Sequence, residues 1–233
     1  MMTIDHQRAA ARAALDELPP SGILGLGTGS TAELFLEALA ALIAGGRQFV
    51  GVPTSEATRA RATALGIPLL DDTGPWSNAV TVDGADEVDA ALDLIKGGGG
   101  AHAREKIVSV AAARTVIIVD STKRSTRLGE RHPVPIEVLA FGHGATRAQL
   151  AAFGRPVLRH AAGAPVRTPA GNHIYDLGVE PIADAGALDA RLRAVPGVVA
   201  TGLFVGRADV VLIGSERRVE RLTRSGRPTA AST

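Results

Sequence analysis

The first half of the chain alternates short apolar runs with longer amphipathic stretches, and this alternation restricts the possible folds more than any other feature. Amphipathic stretches such as TAELFLEALAALI and SEATRARATAL lie between runs that are typical of buried strands. The apolar runs are residues 22–27, 48–52, 67–70, 78–83, 92–96 and 114–120. Because strands joined by helices pair in parallel and are covered on both faces, the pattern predicts an α/β protein with a Rossmann-like, mostly parallel sheet.

The second half follows a different order, which predicts a second and smaller domain. Residues 133–204 read as strand, helix, strand, strand, helix, strand, the ferredoxin-like order. The run RADVVLIG then predicts a strand that rejoins the first sheet, and ERRVERLTR predicts a last helix. The expected domains are a Rossmann-like domain (1–130 and 205–223), an inserted ferredoxin-like α+β lid domain (131–204) and a disordered polar tail (224–233).

The composition argues against several classes of function. A net charge of +1 gives no electrostatic basis for binding nucleic acid, and aromatic residues form only 3% of the chain, too few for a base-stacking surface. Without cysteine, the chain has no disulfide and no thiolate for catalysis or zinc binding. The N-terminus lacks the apolar core of a signal peptide, and no segment approaches about 18 apolar residues. We therefore expect a cytoplasmic protein that does not bind membranes.

Polar clusters follow several predicted strands at their carboxyl ends, which is where open parallel sheets bind ligands. The clusters are GTGST (27–31), PTSEAT (53–58), DGADE (83–87), KGGGG (96–100) and DSTKRS (120–125). Each cluster alone is weak evidence, but together they predict a single binding crevice.

The stretch GLGTGST precedes a helix, so its backbone N–H groups and the Thr28, Ser30 and Thr31 hydroxyls predict a phosphate site. A tight turn with an ordinary N-cap is the other interpretation. A dinucleotide or S-adenosylmethionine site is not favoured, because residue 30 breaks the GxGxxG pattern and the second strand ends FVGVPTS without an acid. Lys123 is a candidate to hold the phosphate from the opposite side, with an ordinary surface lysine as the alternative.

Two further clusters carry groups suited to proton transfer. Asp83 and Asp86 can bind sugar hydroxyls or pass protons, although a solvated acidic turn and a metal site are alternatives. In KGGGGAHAREK, glycines ahead of a helix expose N–H groups that, with Lys96, can stabilise an oxyanion. Glu105, about one turn into that helix, is a candidate base. A flexible glycine loop is the other interpretation, and we assign no role to His102.

In this order, the motifs GLGTGSTA, TVDGADEVD, IKGGGGAHAREKIV, VDSTK, PVPIEV and PGVVATGLFVGRADVVLIG resemble those of ribose-5-phosphate isomerase, type A. The resemblance covers roughly residues 3–215. It implies an aldose–ketose isomerase of the non-oxidative pentose phosphate pathway, which interconverts D-ribose 5-phosphate and D-ribulose 5-phosphate without metal or organic cofactor. It also implies a homodimer or homotetramer whose other partner is a small sugar phosphate. A sugar-phosphate deaminase or lactonase, or a sugar-phosphate sensor domain, is the alternative function.

The resemblance also implies particular site residues. Glu105 matches the proton-transferring glutamate of the family, and we assign Asp83 to ring opening, Asp86 to a sugar hydroxyl and Lys96 to the enediolate. The implied substrate-binding residues are Thr28, Gly29, Ser30, Thr31, Asp83, Gly84, Ala85, Asp86, Lys96, Gly97, Gly98, Gly99 and Lys123. Some members bind phosphate with a lysine near the N-terminus, where this chain has Gln7 and Arg8.

Overall fold

A computed structural model of the chain describes residues 2–73, 75–216 and 218–224. Within these residues the α-helices are α1 (Met2–Ala13), α2 (Ser30–Ala44), α3 (Glu56–Ala64), α4 (His102–Val110), α5 (His143–Leu150) and α6 (Ala185–Arg193). Short 3-10 helices cover Ala14–Glu17 and Ser121–Lys123. The strands are β1 (Ser21–Leu26), β2 (Gln48–Pro53), β3 (Asn78–Asp83), β4 (Glu87–Val88), β5 (Leu94–Ile95), β6 (Ala112–Asp120), β7 (Val134–Val138), β8 (Arg155–Leu158), β9 (His160–Ala161), β10 (Ala164–Pro165), β11 (His173–Gly178), β12 (Val198–Thr201), β13 (Leu203–Phe204), β14 (Val210–Gly214) and β15 (Val219–Thr223).

The chain forms two compact units. The first comprises Met1–Gly84, Arg104–Lys123 and Arg207–Thr233, and the second comprises Ala85–Ala103 and Arg124–Gly206. The second unit thus includes residues 85–103 and 124–130, which the sequence placed in the Rossmann-like domain. The expected domain boundaries, with an inserted lid, stay a prediction. The expected disordered tail lies outside the described residues beyond Arg224.

The first unit is built on a parallel sheet. Its strands β14, β6, β3, β1 and β2 are neighbours in that order and pair in parallel, and β15 pairs antiparallel with β14. Strands covered by helices on both faces need continuous apolar runs, and this accounts for sequences such as TVIIV in β6. Leu26, Val82 and Ile118 from the strands pack in one core with Phe35 and Leu36 of α2. The predicted mostly parallel α/β sheet is confirmed.

Two predicted elements are wrong, and a third is a strand that lies in a different sheet from the one predicted. Residues 67–70 form only an isolated bridge between Leu69 and Gly51. Residues 92–96 contribute the short strand β5, which pairs antiparallel with β4 and β13 in a separate sheet of the second unit. In the stretch predicted as a last helix, Val219–Thr223 forms β15 instead. Without β15 the strand β14 would be an open edge, and this pairing overrides local helix propensity.

The second unit contains the predicted ferredoxin-like arrangement. Its four-stranded sheet has the order β12–β7–β11–β8, with every neighbouring pair antiparallel. Helices α5 and α6 occupy the two crossover positions of the βαββαβ order. The core includes Ile136 and Leu177 from the sheet, with Leu150 and Leu192 from the helices. A short hairpin, β9–β10, is inserted between β8 and β11.

Candidate active site

Four of the five polar clusters follow neighbouring strands of the first unit. Strands β2, β1, β3 and β6 lie side by side and are parallel, so the loops that follow them share one edge of the sheet. These loops carry residues 27–31, 53–58, 83–84 and 120–123. The fifth cluster, KGGGG, follows β5 in the second unit, so the expectation that all five clusters follow strands of one parallel sheet is wrong for this one.

Asp83, at the end of β3, is held in a fixed orientation. It is only 2% exposed, and its Oδ1 accepts hydrogen bonds from the backbone N–H groups of Thr28 (3.1 Å) and Gly84 (2.7 Å). The absence of a side chain at Gly27 is required here, because a Cβ at that position would overlap the Asp83 carboxylate. The carboxylate predicted to assist ring opening is thus buried and anchored by the loop after β1.

The Thr28 side chain belongs to a buried cluster of hydroxyl groups. Its Oγ1 lies 2.8 Å from Thr54 Oγ1, 2.9 Å from Ser55 Oγ and 3.0 Å from Thr58 Oγ1. The Thr58 hydroxyl in turn donates to the Gly27 carbonyl at 2.9 Å. Since both the N–H and the hydroxyl of Thr28 bond within the protein, the structure uses this residue to hold the loop. Its direct contact with substrate stays a prediction.

The role of Thr54, Ser55 and Thr58 was not predicted from the sequence. The signal that could have identified it is local: PTSEAT follows a strand and begins a helix. Ser55 is the N-cap of α3 and accepts the backbone N–H of Thr58 at 3.1 Å. The same Ser–x–x–Thr spacing that caps α3 also presents hydroxyls to the loop after β1.

The start of α2 has the geometry of an anion site. Gly29 has φ 113° and ψ 172°, a conformation that glycine alone adopts without strain. Ser30 and Thr31 begin the 15-residue helix, and Ser30 is exposed while Thr31 is buried. The first N–H groups of an α-helix have no partners within the helix and carry its positive dipole end. This helix start therefore suits the predicted phosphate.

Lys123 ends the short 3-10 helix after β6, and Asp120 holds that turn. Asp120 Oδ1 accepts the Thr122 backbone N–H (2.9 Å) and the Thr122 hydroxyl, and its Oδ2 accepts Gln7 Nε2 (3.1 Å). Burial would raise the pKa of Asp120, but the hydrogen bonds from Thr122 and Gln7 and the charge of Lys123 together hold it below its usual value. Gln7 therefore supports the turn that carries Lys123, whereas Arg8 is exposed.

The glycine loop of the second unit follows a buried lysine. Lys96 is 4% exposed, and its Nζ lies 5.5 Å from the centre of the Phe204 ring. Gly97 has φ 110°, and a Cβ there would lie 2.8 Å from Nδ1 of the buried His102. His102 thus packs beneath the loop, a role that the sequence did not suggest.

Asp86 fixes the middle of the glycine loop. Its Oδ2 accepts the Gly98 N–H at 2.8 Å. Gly98 does not have a positive φ, so its backbone conformation is open to other residues. Glycine is favoured here because of the limited space, since a Cβ would lie 2.8 Å from Asp86 Oδ1. Of the three amides predicted to stabilise an oxyanion, the Gly98 amide is therefore already bonded to Asp86.

Glu105 is the fourth residue of α4 and is 4% exposed. Its neighbour Arg104 donates from Nη1 to Glu56 Oε1 at 2.8 Å, which ties the first turn of α4 to the start of α3. The hydrogen bond from Arg104 is the main reason why the pKa of Glu56 is lowered. The predicted base therefore lies on a rigid helix rather than in a loop.

No cluster of three or more His, Asp or Glu side chains suited to a metal occurs among the residues that the structure describes. In the same part of the chain, none of the helices has the length and apolarity needed to cross a bilayer.

A parallel sheet with glycine-rich loops and buried acids at the carboxyl ends of its strands defines the class of open α/β proteins that bind small ligands at that edge. The family model described as ribose 5-phosphate isomerase A (phosphoriboisomerase A) matches residues 50–218. The ribose-5-phosphate isomerase A of Roseiflexus castenholzii is 50% identical over 212 residues, which cover 89% of this chain and 91% of that protein. The chain belongs to the ribose 5-phosphate isomerase A family and is an enzyme of the aldose–ketose isomerase class.

Other relatives and solved structures agree. The ribose-5-phosphate isomerase A of Bradyrhizobium diazoefficiens is 47% identical, with 94% of this chain and 98% of that protein covered. The solved ribose 5-phosphate isomerase A of Methanocaldococcus jannaschii has a TM-score of 0.89 at 35% identity, covering 94% of this chain and 98% of that one. A D-ribose-5-phosphate isomerase solved with phospho-erythronic acid has a TM-score of 0.93 at 35% identity, covering 96% and 100%. The family predicted from the motifs is confirmed, and the deaminase, lactonase and sensor alternatives are not favoured.

Proposed function

We propose that this chain interconverts D-ribose 5-phosphate and D-ribulose 5-phosphate through a cis-enediolate, in the non-oxidative pentose phosphate pathway of the cytoplasm. The observation that carries the proposal is the buried carboxylate of Glu105, 4% exposed on the first turn of α4, in a chain whose relatives are named for this reaction. A reaction of this type needs a base, groups that stabilise the oxyanion and a site that binds the phosphate. It needs no redox cofactor.

Glu105 moves the carbon-bound proton. Asp83 first assists the opening of the furanose ring, which exposes the C1 aldehyde. Glu105 then removes the proton from C2, and the electron pair of that bond passes through C1–C2 to O1, giving the enediolate. Glu105 returns the proton to C1 while the hydroxyl proton of O2 is transferred to O1, leaving C2 as the carbonyl. A carboxylate on a rigid helix can serve in both directions because it is first base and then acid.

Lys96 and the glycine loop stabilise the enediolate oxygens. A buried ammonium acts on developing negative charge much more strongly than an exposed one, because water does not screen it. The amides of Gly97 and Gly99 are the loop donors, since the Gly98 amide bonds to Asp86. Asp86 in turn hydrogen-bonds a sugar hydroxyl with its remaining acceptor capacity.

The phosphate binds at the start of α2, where Gly29, Ser30 and Thr31 supply N–H groups and hydroxyls, and Lys123 supplies a positive charge. Thr28, Gly84 and Ala85 complete the substrate-binding loops. The related structure solved with phospho-erythronic acid supports separate sites for the phosphate and for the reacting end of the sugar, because that ligand carries both a phosphate and a carboxylate. Binding energy from the phosphate orients the reacting carbons, which raises turnover as well as affinity.

The proposal is tested by converting ribose 5-phosphate in D2O with EDTA present, followed by NMR. We expect ribulose 5-phosphate to form at the same rate with and without EDTA, and deuterium to enter at C1, because the proton held by Glu105 exchanges with solvent. Transfer of hydrogen to C1 without any deuterium would contradict the enediolate mechanism. Inert enzyme that instead releases ammonia from glucosamine 6-phosphate would move the assignment to a deaminase.

Gly98→Val should lower kcat/KM for ribose 5-phosphate by about 10- to 100-fold, while the thermal unfolding midpoint changes little. The new side chain would displace the Asp86 carboxylate, which lies 2.8 Å from the Cβ position, and would cover the amides of the loop. Steady-state kinetics and thermal unfolding measure both effects. Gly144→Val is the matched control, because a Cβ at Gly144 of α5 meets nothing within 4 Å. Unchanged activity of Gly98→Val would rule out the loop as the oxyanion site.

The active form is a homodimer or homotetramer. Large apolar side chains on the surface of the second unit support this part of the proposal, above all Phe141, which is 95% exposed. Light scattering of the purified protein measures the mass directly, and a monomer at micromolar concentration would contradict it.

A further inference from the structure

Arg159 holds the backbone of the glycine loop from the side opposite to Asp86. It lies between β8 and β9, and its Nη1 donates to the carbonyl oxygens of Gly97 at 2.8 Å and Gly98 at 3.0 Å. No role for this arginine follows from the sequence, because about sixty residues separate it from the loop.

A rigid strand fixes the guanidinium itself. Asp176, on β11, accepts from Arg159 Nε at 2.9 Å and from Nη2, so the carboxylate and the guanidinium form a paired, two-bond contact. The two side chains are only 16% and 24% exposed. Such a planar fork directs its remaining N–H groups in one direction. Here that direction is the glycine loop.

The geometry of the peptide bond turns this contact into control of the loop amides. Among the described residues every peptide bond is trans, so each carbonyl points away from the N–H of the next residue. The peptide group between Gly97 and Gly98 is therefore held on both sides. Its carbonyl oxygen accepts from Arg159, and its N–H donates to Asp86. In the next peptide, the Gly98 carbonyl bonds to Arg159, so the trans geometry directs the Gly99 N–H away from Arg159. Gly99 itself is exposed.

We propose that Arg159 is a positioning residue of the isomerase, which acts by fixing the Gly99 N–H as a donor to the developing enediolate oxygen. Consecutive glycines have more backbone freedom than any other sequence, so an unrestrained loop would spend little time with this amide correctly oriented. A donor that is oriented before the reaction stabilises charge without reorganisation. The inference rests on the proposed function, because it assigns the glycine loop to the oxyanion.

The test compares Arg159→Met and Arg159→Lys with the wild type, and measures kcat, KM and the affinity for two ligands. Phospho-erythronic acid has a carboxylate that can accept the Gly99 N–H, whereas ribitol 5-phosphate has the phosphate and hydroxyls but no carboxylate or carbonyl. We expect kcat to fall about 10- to 100-fold with little change in KM. Affinity for phospho-erythronic acid should fall in parallel, and affinity for ribitol 5-phosphate should stay within about threefold.

Arg159→Lys should show most of the loss, because an ammonium cannot bind Asp176 and both carbonyls at once. Arg193→Met is the matched control: it removes another arginine–aspartate pair of the second unit, with Asp189, and should leave kcat unchanged. If either Arg159 variant keeps wild-type kcat, or if both ligands lose affinity equally, the positioning role is overturned and Arg159 is a structural residue. Should Arg159→Met fail to fold, Arg159→Lys alone decides. A wild type without isomerase activity would refute the proposed function instead.

Discussion

Replacing Glu105 with glutamine should lower kcat for ribose 5-phosphate by about 10³-fold, with little effect on ligand binding. Glutamine has nearly the same shape as glutamate, so the packing of this 4% exposed side chain in α4 is preserved. An amide cannot take the proton from C2, and the barrier for that step rises accordingly. Steady-state kinetics measures kcat, and titration with phospho-erythronic acid shows whether the binding loops remain intact.

Glu33→Gln is the control for this variant. Glu33 occupies the same fourth position of α2 that Glu105 occupies in α4, but Glu33 is exposed. It should keep wild-type kcat. The NMR experiment in D2O adds a second measurement, since Glu105→Gln should lose the entry of deuterium at C1 along with turnover. Retention of more than about a tenth of the wild-type kcat would place the base elsewhere, and Asp83 and Asp86 would be the next residues to replace.

The regular strands and helices could be predicted because the local spacing of apolar residues indicates them. Strands β1, β3 and β6 are apolar runs flanked by glycine or polar residues, and the helices between them are amphipathic, so their pairing in parallel followed from the order alone. Pairing between distant segments was not predictable in this way. The strand predicted at 92–96 exists as β5, but its antiparallel pairing with β4 and β13 in a separate sheet depends on distant residues. Strand β15 was predicted as a helix, because no local pattern of ERRVERLTR reveals the edge that β14 offers.

The candidate site could be proposed from the sequence because its groups come from glycine-rich loops and isolated charges. The sequence predicted Gly27, Gly29 and Gly97 as glycines of ligand-binding loops, and that role stays a prediction. The structure adds reasons of its own, namely close approach to Asp83, a positive φ and contact with His102. The contacts that hold these loops were not predictable. Arg159 meets the Gly97 carbonyl from another element of the chain, and arginine is too common in this sequence for one of them to stand out.

Lys96→Met should lower kcat by about 10²- to 10³-fold without a matching loss of stability. The methionine side chain can replace the apolar part of lysine beside the Phe204 ring, 5.5 Å from the ammonium, so the packing of the loop is largely kept. What disappears is the positive charge proposed to face the enediolate. The desolvation cost of the buried charge disappears together with the contacts of the ammonium, so the thermal unfolding midpoint should stay within about 5 °C of the wild type.

The combination of a large loss in kcat and an unchanged unfolding midpoint separates a catalytic lysine from a structural one. Lys106→Met provides the comparison, since Lys106 is partly buried and follows Glu105 in α4 but has no part in the proposed chemistry. It should keep wild-type kcat. If Lys96→Met unfolds well below the wild type and its kcat at low temperature is normal, then Lys96 stabilises the loop, and the oxyanion must depend on the Gly97 and Gly99 amides. Those amides would then provide all of the stabilisation of the enediolate. Because Arg159 is proposed to position the Gly99 amide, Arg159→Met should then lower kcat by a factor closer to that of Glu105→Gln.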